Sequence, residues 1–254
     1  TADPASADLD TTDGVIELAP GERFRRILAA ALALALAVAL APVMLRLAVA
    51  LTVVFALGTV LARGSLATAG WSLVAGLGAV VGAAVLNLPW ITSWTWEGVV
   101  GAPPIGEAGI GLIPLASFEI GRTDFAALAL ALYLPVIAAV LLARAWRLTW
   151  AIRSGLMVLV FGGLAVLADR GSIALAMPEA GVLLVPVAVG LSISAAAALA
   201  AFDLDVRGEN FGWRQPLGIL ASVAVVIELA PGIAALASGS FDVPNTPLAR
   251  LLDA

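Results

Sequence analysis

Histidine and cysteine are both absent from the 254 residues. Their absence removes the commonest general base, the thiol nucleophile and the usual side-chain ligands of transition metals. Carboxylates are left to carry any acid–base chemistry. Glu97, Glu119 and Asp124 fall in one stretch rich in Trp, Pro and Gly, between two apolar runs. At a membrane surface such a carboxylate can act as a base or hold a divalent ion during group transfer from a lipid-phosphate sugar donor. Carboxylates in a loop of that length, which also holds Glu107, are ordinary solvated charges as well, and this plainer reading carries more weight. Glu228 differs because it lies inside an apolar run. An intramembrane carboxylate is costly and is a functional candidate by default. It can face a substrate path, pair with Arg46 or Arg170, or meet water where Pro231 loosens the helix. The two structural readings outweigh the first.

Asp203-Leu-Asp205 and Asp8-Leu-Asp10 both match a D-x-D pattern. In sugar-nucleotide transferases such a pair holds a divalent ion against a diphosphate, because hard cations prefer carboxylate oxygens. That site needs a strand end in an α/β domain. Here one copy sits at the end of an apolar run and the other in a polar leader, so neither is read as catalytic. Gly106-x-x-Gly109-x-Gly111 lacks the Lys-Ser/Thr ending and the flanking strand and helix of a phosphate loop. No metal or other cofactor is therefore expected in this segment.

The elements that position these residues belong to a bilayer. The chain is 62% hydrophobic with a mean hydropathy of +1.07, well above the usual half-apolar soluble domain. The fold expected is all-α, a polytopic helical bundle of about seven spans. Residues 1–21 form an acidic linker, expected to be disordered because it cannot bury enough apolar surface. The transmembrane domain covers 22–240, with spans at about 25–40, 42–62, 66–88, 126–142, 155–168, 182–202 and 216–237. An outer loop occupies 89–125, in which Leu112–Ile120 can form a surface helix. The start at Thr1 and the amphipathic 241–254 read as a piece of a longer protein, the latter opening an extracytoplasmic part. The net charge of −5 comes largely from the leader, and no nucleic-acid partner is expected.

Ile27–Ala62 is too long for one crossing. One helix of that length would run roughly 50 Å against a hydrocarbon core of about 30 Å. Pro42 breaks the run, since it lacks an N–H and disfavours helix before it. A tight hairpin is preferred over one kinked, tilted helix. In span 3, Gly78 and Gly82 form a small-xxx-small face suited to close helix approach. In span 4, Pro135 is expected to kink the helix.

Arginines fix the orientation. All 13 basic residues are Arg. The joint Ala143–Gly155, ARAWRLTWAIRSG, carries Arg144, Arg147 and Arg153 with Trp146 and Trp150 between them. Arginines at such a joint stay cytoplasmic and tryptophans sit at headgroup level. Trp213 and Arg214 form a second anchor of this kind. The seven-span reading puts Arg23, Arg25, Arg26, Arg63, Arg144, Arg147, Arg153, Arg207 and Arg214 inside. It leaves Arg46, Arg122, Arg170 and Arg250 outside, with the N-terminus cytoplasmic and the C-terminus extracytoplasmic.

Eight stretches occur in a recognisable order: Gly21–Pro42, Val60–Ser65, Asn87–Trp90 (NLPW), Ala143–Gly155, Leu167–Gly171 (LADRG), Pro178–Ser192, Phe202–Gln215 (FDLDVRGENFGWRQ) and Ala237–Asp253. Together they resemble the membrane region of large actinobacterial family 2 glycosyltransferases. The resemblance implies a nucleotide-sugar transferase domain upstream, which would hold the catalytic acidic motifs and any divalent metal. It further implies covalently linked domains at both ends and a bacterial plasma-membrane location. Membrane lipid and a lipid-linked sugar or nascent glycan are the implied partners. A flippase for a lipid-linked glycan and a purely structural anchor are the other readings of a segment without its own catalytic motif.

Overall fold

The computed structural model describes residues 20–62, 64–91, 112, 116, 130–171, 178, 180–203 and 212–238. In the last helix, side chains are described as far as Ile227. The described residues are helical, with no strand among them. They form α1 (Pro20–Leu40), α2 (Val43–Leu61), α3 (Leu66–Leu86), the short α4 (Leu88–Ile91), α5 (Leu134–Leu142), α6 (Ala145–Asp169), α7 (Ala180–Ala201) and α8 (Arg214–Ser238). Four of them, α2, α3, α6 and α7, are long and apolar enough to cross a membrane. The fold is thus an all-α membrane helical bundle.

Pro42 divides the first apolar run as its chemistry dictates, with α1 ending at Leu40 and α2 beginning at Val43. Contacts along α3 give the directions of α1 and α2. Ile27 and Ala31 of α1 lie beside Gly78 and Gly82, and Ala35 lies beside Asn87. These pairs ascend together, so α1 and α3 run in parallel. Chain connection then makes α2 antiparallel to both, and α1–α2 is a helical hairpin. α3 lies between α1 and α2, α2 leans on α6, and α6 pairs with α7. α5 and α8 pack against one another and against α7.

One local expectation is corrected. Pro135 marks a helix start rather than a kink among the described residues, and 126–129 of the expected fourth span lie outside them. It sits in the first turn of α5, preceded by a 3-10 turn over Leu130–Tyr133. There its missing N–H has no intrahelical acceptor to lose, and its fixed φ suits a helix start. The joint Ala143–Gly155 is largely helical. The chain reverses at Ala143 and Arg144, and α6 begins at Ala145, so Trp146, Arg147, Trp150 and Arg153 are all helical. The reversal is tight enough to put Ala145 at φ 49, a region that costs an L-residue roughly 1–2 kcal/mol.

The interior is sorted by size rather than by polarity. On α1, Ala31 and Ala35 are buried while Leu28, Leu32 and Leu36 are exposed. The same small-in, large-out pattern recurs at Ala79 and Ala83 against Val81 and Val85 on α3. Lipid tails are as apolar as leucine, so burying leucine between helices gains little. Small residues let backbones approach, and dispersion then favours the contact. Larger side chains gather at the centre, where Phe161 is fully buried among Leu47 and Val54 of α2, Met157 and Val158 of α6, and Leu183, Val187 and Leu191 of α7; outside that cluster, Leu142 of α5 and Val38 of α1 are also fully buried.

Candidate functional site

One end of the bundle collects positive charge. Arg23, Arg25 and Arg26 lie near the start of α1, Arg144, Arg147 and Arg153 open α6, and Arg214 opens α8. All of them lie at the same end: α2, antiparallel to α1, meets Arg153 at Gly58 near its own end, and Arg214 meets the end of α5 beside the start of α6. Arg46, in the first turn of α2, and Arg170, closing α6, lie at the other. The arginines at the rich end are braced by rings. Arg23 lies 5.4 Å over Trp71, Arg147 lies 5.5 Å over Trp146, and Arg214 lies 5.9 Å over Trp213. Such stacking holds an arginine beside apolar surface while its head reaches polar surroundings. Arg214 also donates from Nη2 to the carbonyls of Leu141 and Leu142, at 3.3 and 3.4 Å, where α5 ends. A cation there meets the negative pole of the helix. Exposed Glu22 pairs with Arg25 and Arg26 at 4.0 and 3.1 Å. Pairs so exposed add little to stability.

Arg153 is the deepest of the set. Its guanidinium lies 4.7 Å over Phe55 and 5.3 Å over Trp150, and the two rings meet edge-on at 5.8 Å. Its buried Nε has no hydrogen-bond partner among the described residues. A Cβ on Gly58 would sit 3.0 Å from the Arg153 Cα. The absence of a side chain at 58 is what lets α2 close over this arginine.

Buried polar groups stitch the helices elsewhere. Ser194 of α7 donates to Ser154 Oγ of α6 at 2.8 Å, and Ser154 Oγ in turn donates to the Trp150 carbonyl at 2.8 Å. Asn87 donates from Nδ2 to Ala35 O of α1 at 3.1 Å and to Ala83 O of its own helix at 2.9 Å. Thr59 is fully buried and returns its hydroxyl to Phe55 O at 2.9 Å. Every one of these bonds ends on a carbonyl or hydroxyl of the bundle, so the groups serve packing, not an open reaction site. Reading the sequence for chemistry passes over them. The signal was present in Gly190-x-x-x-Ser194, a small-xxx-small pair at helical spacing.

The sequence-derived carboxylates Glu97, Glu119 and Asp124 lie outside the described residues, as do Asp8, Asp10 and Asp205. Glu228 belongs to α8 by its backbone, and its side chain lies outside the described set, so its pairing with Arg46 or Arg170 is not observed. Among the described residues, no group of three or more His, Cys, Asp or Glu could hold a metal ion.

One concavity is built by described residues on the lateral face. It is a groove of about 410 Å³ between α5 and α6, floored by α7. Gly155, Leu159, Gly162, Gly163 and Val166 form one wall, with Val136 and Ile137 opposite and Leu184 below. Tyr133, Leu112 and Ala116 complete the lining, and the Tyr133 hydroxyl donates to Ala116 O at 3.0 Å. Comparison of the chain with family models, curated proteins and solved structures returned no match.

Proposed function

We propose that this chain is the membrane domain of a glycosyltransferase of cell-envelope glycan assembly, anchoring a cytoplasmic nucleotide-sugar transferase domain in the bacterial plasma membrane. The observation that carries the reading is the ordered set of stretches from Gly21–Pro42 to Ala237–Asp253, which spans nearly the whole chain. In this reading the bundle holds the transferase domain at the cytoplasmic face, where nucleotide sugars are found, and meets a lipid-linked acceptor from the bilayer side. The arginine-rich end supports the orientation. Basic residues flanking spans favour the cytoplasm, so the start of α1 and the turns α5–α6 and α7–α8 face inward.

Two experiments test it. An antibody raised to Asn87–Phe125 is used to isolate the native polypeptide from source membranes. The expected band is on the order of a hundred kDa, with room for further domains, and the isolate transfers labelled sugar from a nucleotide donor into the lipid fraction. A band near 25.6 kDa, or a large polypeptide without transfer, overturns the transferase reading. The orientation is tested separately, aided by the natural absence of cysteine. Trp213→Cys at the arginine-rich end is expected to react with an impermeant maleimide only after permeabilisation. Leu40→Cys at the other end is expected to react in intact cells. The opposite pattern inverts the topology.

A further inference from the structure

The lateral groove is long, open and apolar, and its chemistry restricts what can lie in it. Its walls offer aliphatic carbons and glycine backbone, and its one hydroxyl, on Tyr133, is already engaged with Ala116 O. A sugar or a peptide backbone placed there would bury donors and acceptors with no partners, at a cost of several kcal/mol per group. A hydrocarbon chain has no such cost. The groove opens sideways, since its lips Leu159 and Ile137 are 72% and 52% exposed. The exposed flank of the bundle faces lipid rather than water.

Dimensions narrow the occupant further. From Gly155 to Val166 the groove follows α6 for about 16 Å at 1.5 Å per residue, close to half of a roughly 30 Å hydrocarbon core. It starts near the middle of α6 and runs toward the Arg170 end, so it covers one leaflet. Its depth comes from missing side chains. A Cβ added at Gly163 would meet nothing within 4 Å, and one at Gly162 only Val187 Cγ2 at 4.0 Å. These glycines are therefore not required by helix packing, unlike Gly190 or Gly58. They leave a slot beside α5 and the 3-10 turn that leads into it.

We infer that this groove is a lipid site, holding one acyl chain of a phospholipid from the leaflet at the Arg170 end. Tyr133, Ile137, Leu159 and Gly163 line the chain, and its headgroup lies toward the Arg170 end. The inference stands independently of the transferase reading, because it needs only a bilayer around the bundle.

The test uses the whole chain in nanodiscs of phosphatidylglycerol and phosphatidylethanolamine, with phosphatidylglycerol carrying a diazirine in one acyl chain. Adducts are mapped by mass spectrometry. Labelling of Ile137 and Leu159 is expected to saturate at low probe fraction and to be competed by unlabelled phosphatidylglycerol. Labelling of Val81 and Val85, on the lipid-facing side of α3, is expected to rise in proportion to probe. Gly163→Phe, which fills the slot, is expected to lower groove labelling at least fivefold and to leave α3 labelling unchanged. Proportional labelling of both faces would mean ordinary bulk lipid and overturns the site. Absence of groove labelling would mean that protein covers it, and overturns the site equally. The wild-type saturation curve decides the matter even where Gly163→Phe does not fold.

Discussion

The α6–α7 contact and the α1–α3 contact are built from the same parts and do different work. Each brings a glycine against the neighbouring helix and adds a buried hydrogen bond. At α6–α7, a Cβ on Gly190 would lie 2.9 Å from the Ser154 carbonyl oxygen and from Val158 Cγ2. At α1–α3, a Cβ on Gly82 would lie 2.9 Å from the Ala31 methyl. The distances match and the consequences do not. α7 is held between α6 on one side and α5 and α8 on the other, so it cannot retreat. α1 stands at the edge of the bundle with its leucines toward lipid, and it can. In a medium with no hydrophobic contrast, the cost of a misfit depends on whether the helix has somewhere to go.

Unfolding free energy in bicelles would break or sharpen that comparison. Gly190→Ala is expected to cost the most, about 3 kcal/mol, because a methyl there is forced onto a backbone carbonyl in a confined pair. Gly82→Ala is expected to cost about 1 kcal/mol, with α1 shifting outward to relieve the clash. Equal costs at the two positions would show that α1 is held as firmly as α7. Asn87→Ala is expected to cost about 1 kcal/mol, in the upper part of the range for interhelical bonds in lipid. A neutral Asn87→Ala would mean that the α1 end is held by packing alone. Ser194→Ala is expected to cost about 0.6 kcal/mol, and a cycle with Ser154→Ala isolates the pair. Gly78→Ala is expected to change stability within ±0.5 kcal/mol, since its nearest neighbour, Ile27 Cγ2, would be in ordinary contact at 3.7 Å.

Gly78 and Gly82 also show how far the pattern in the sequence reached. Both face α1, as small-xxx-small spacing suggests, yet only Gly82 has no room for a methyl. The spacing picks out a face and cannot rank the positions on it. Pro42 was legible because its effect is local: it has no N–H wherever the chain goes. Pro135 was not, because whether a proline kinks or starts a helix depends on where the helix begins. The start of α6 was not legible for a related cause. Arg and Trp are natural at an interface whether the backbone there is loop or helix, and Arg147, Trp150 and Arg153 read the same either way. The carboxylates that carry candidate chemistry, Glu97, Glu119 and Asp124, were found by type alone and lie outside the described residues. The buried Ser154–Ser194 pair was passed over because a lone serine in an apolar run returns its hydroxyl to its own helix as readily as across to another.

Composition and run length by themselves determined that this chain is a helical membrane protein, because a bilayer demands apolar stretches of about 20 residues whose backbone bonds are satisfied within the helix. Pro42 determined where the first apolar run turns, and the arginine positions which ends share charge. Only the tertiary structure decided which faces meet. Alanine and leucine are equally at home in lipid, so hydropathy carries no sign of inside or outside, and the partners of Gly190, Asn87 and Arg153 follow from backbone approach alone. The groove beside Gly162 and Gly163 is the same lesson in reverse. Two adjacent glycines look like packing residues in the sequence, and the structure leaves their side unfilled.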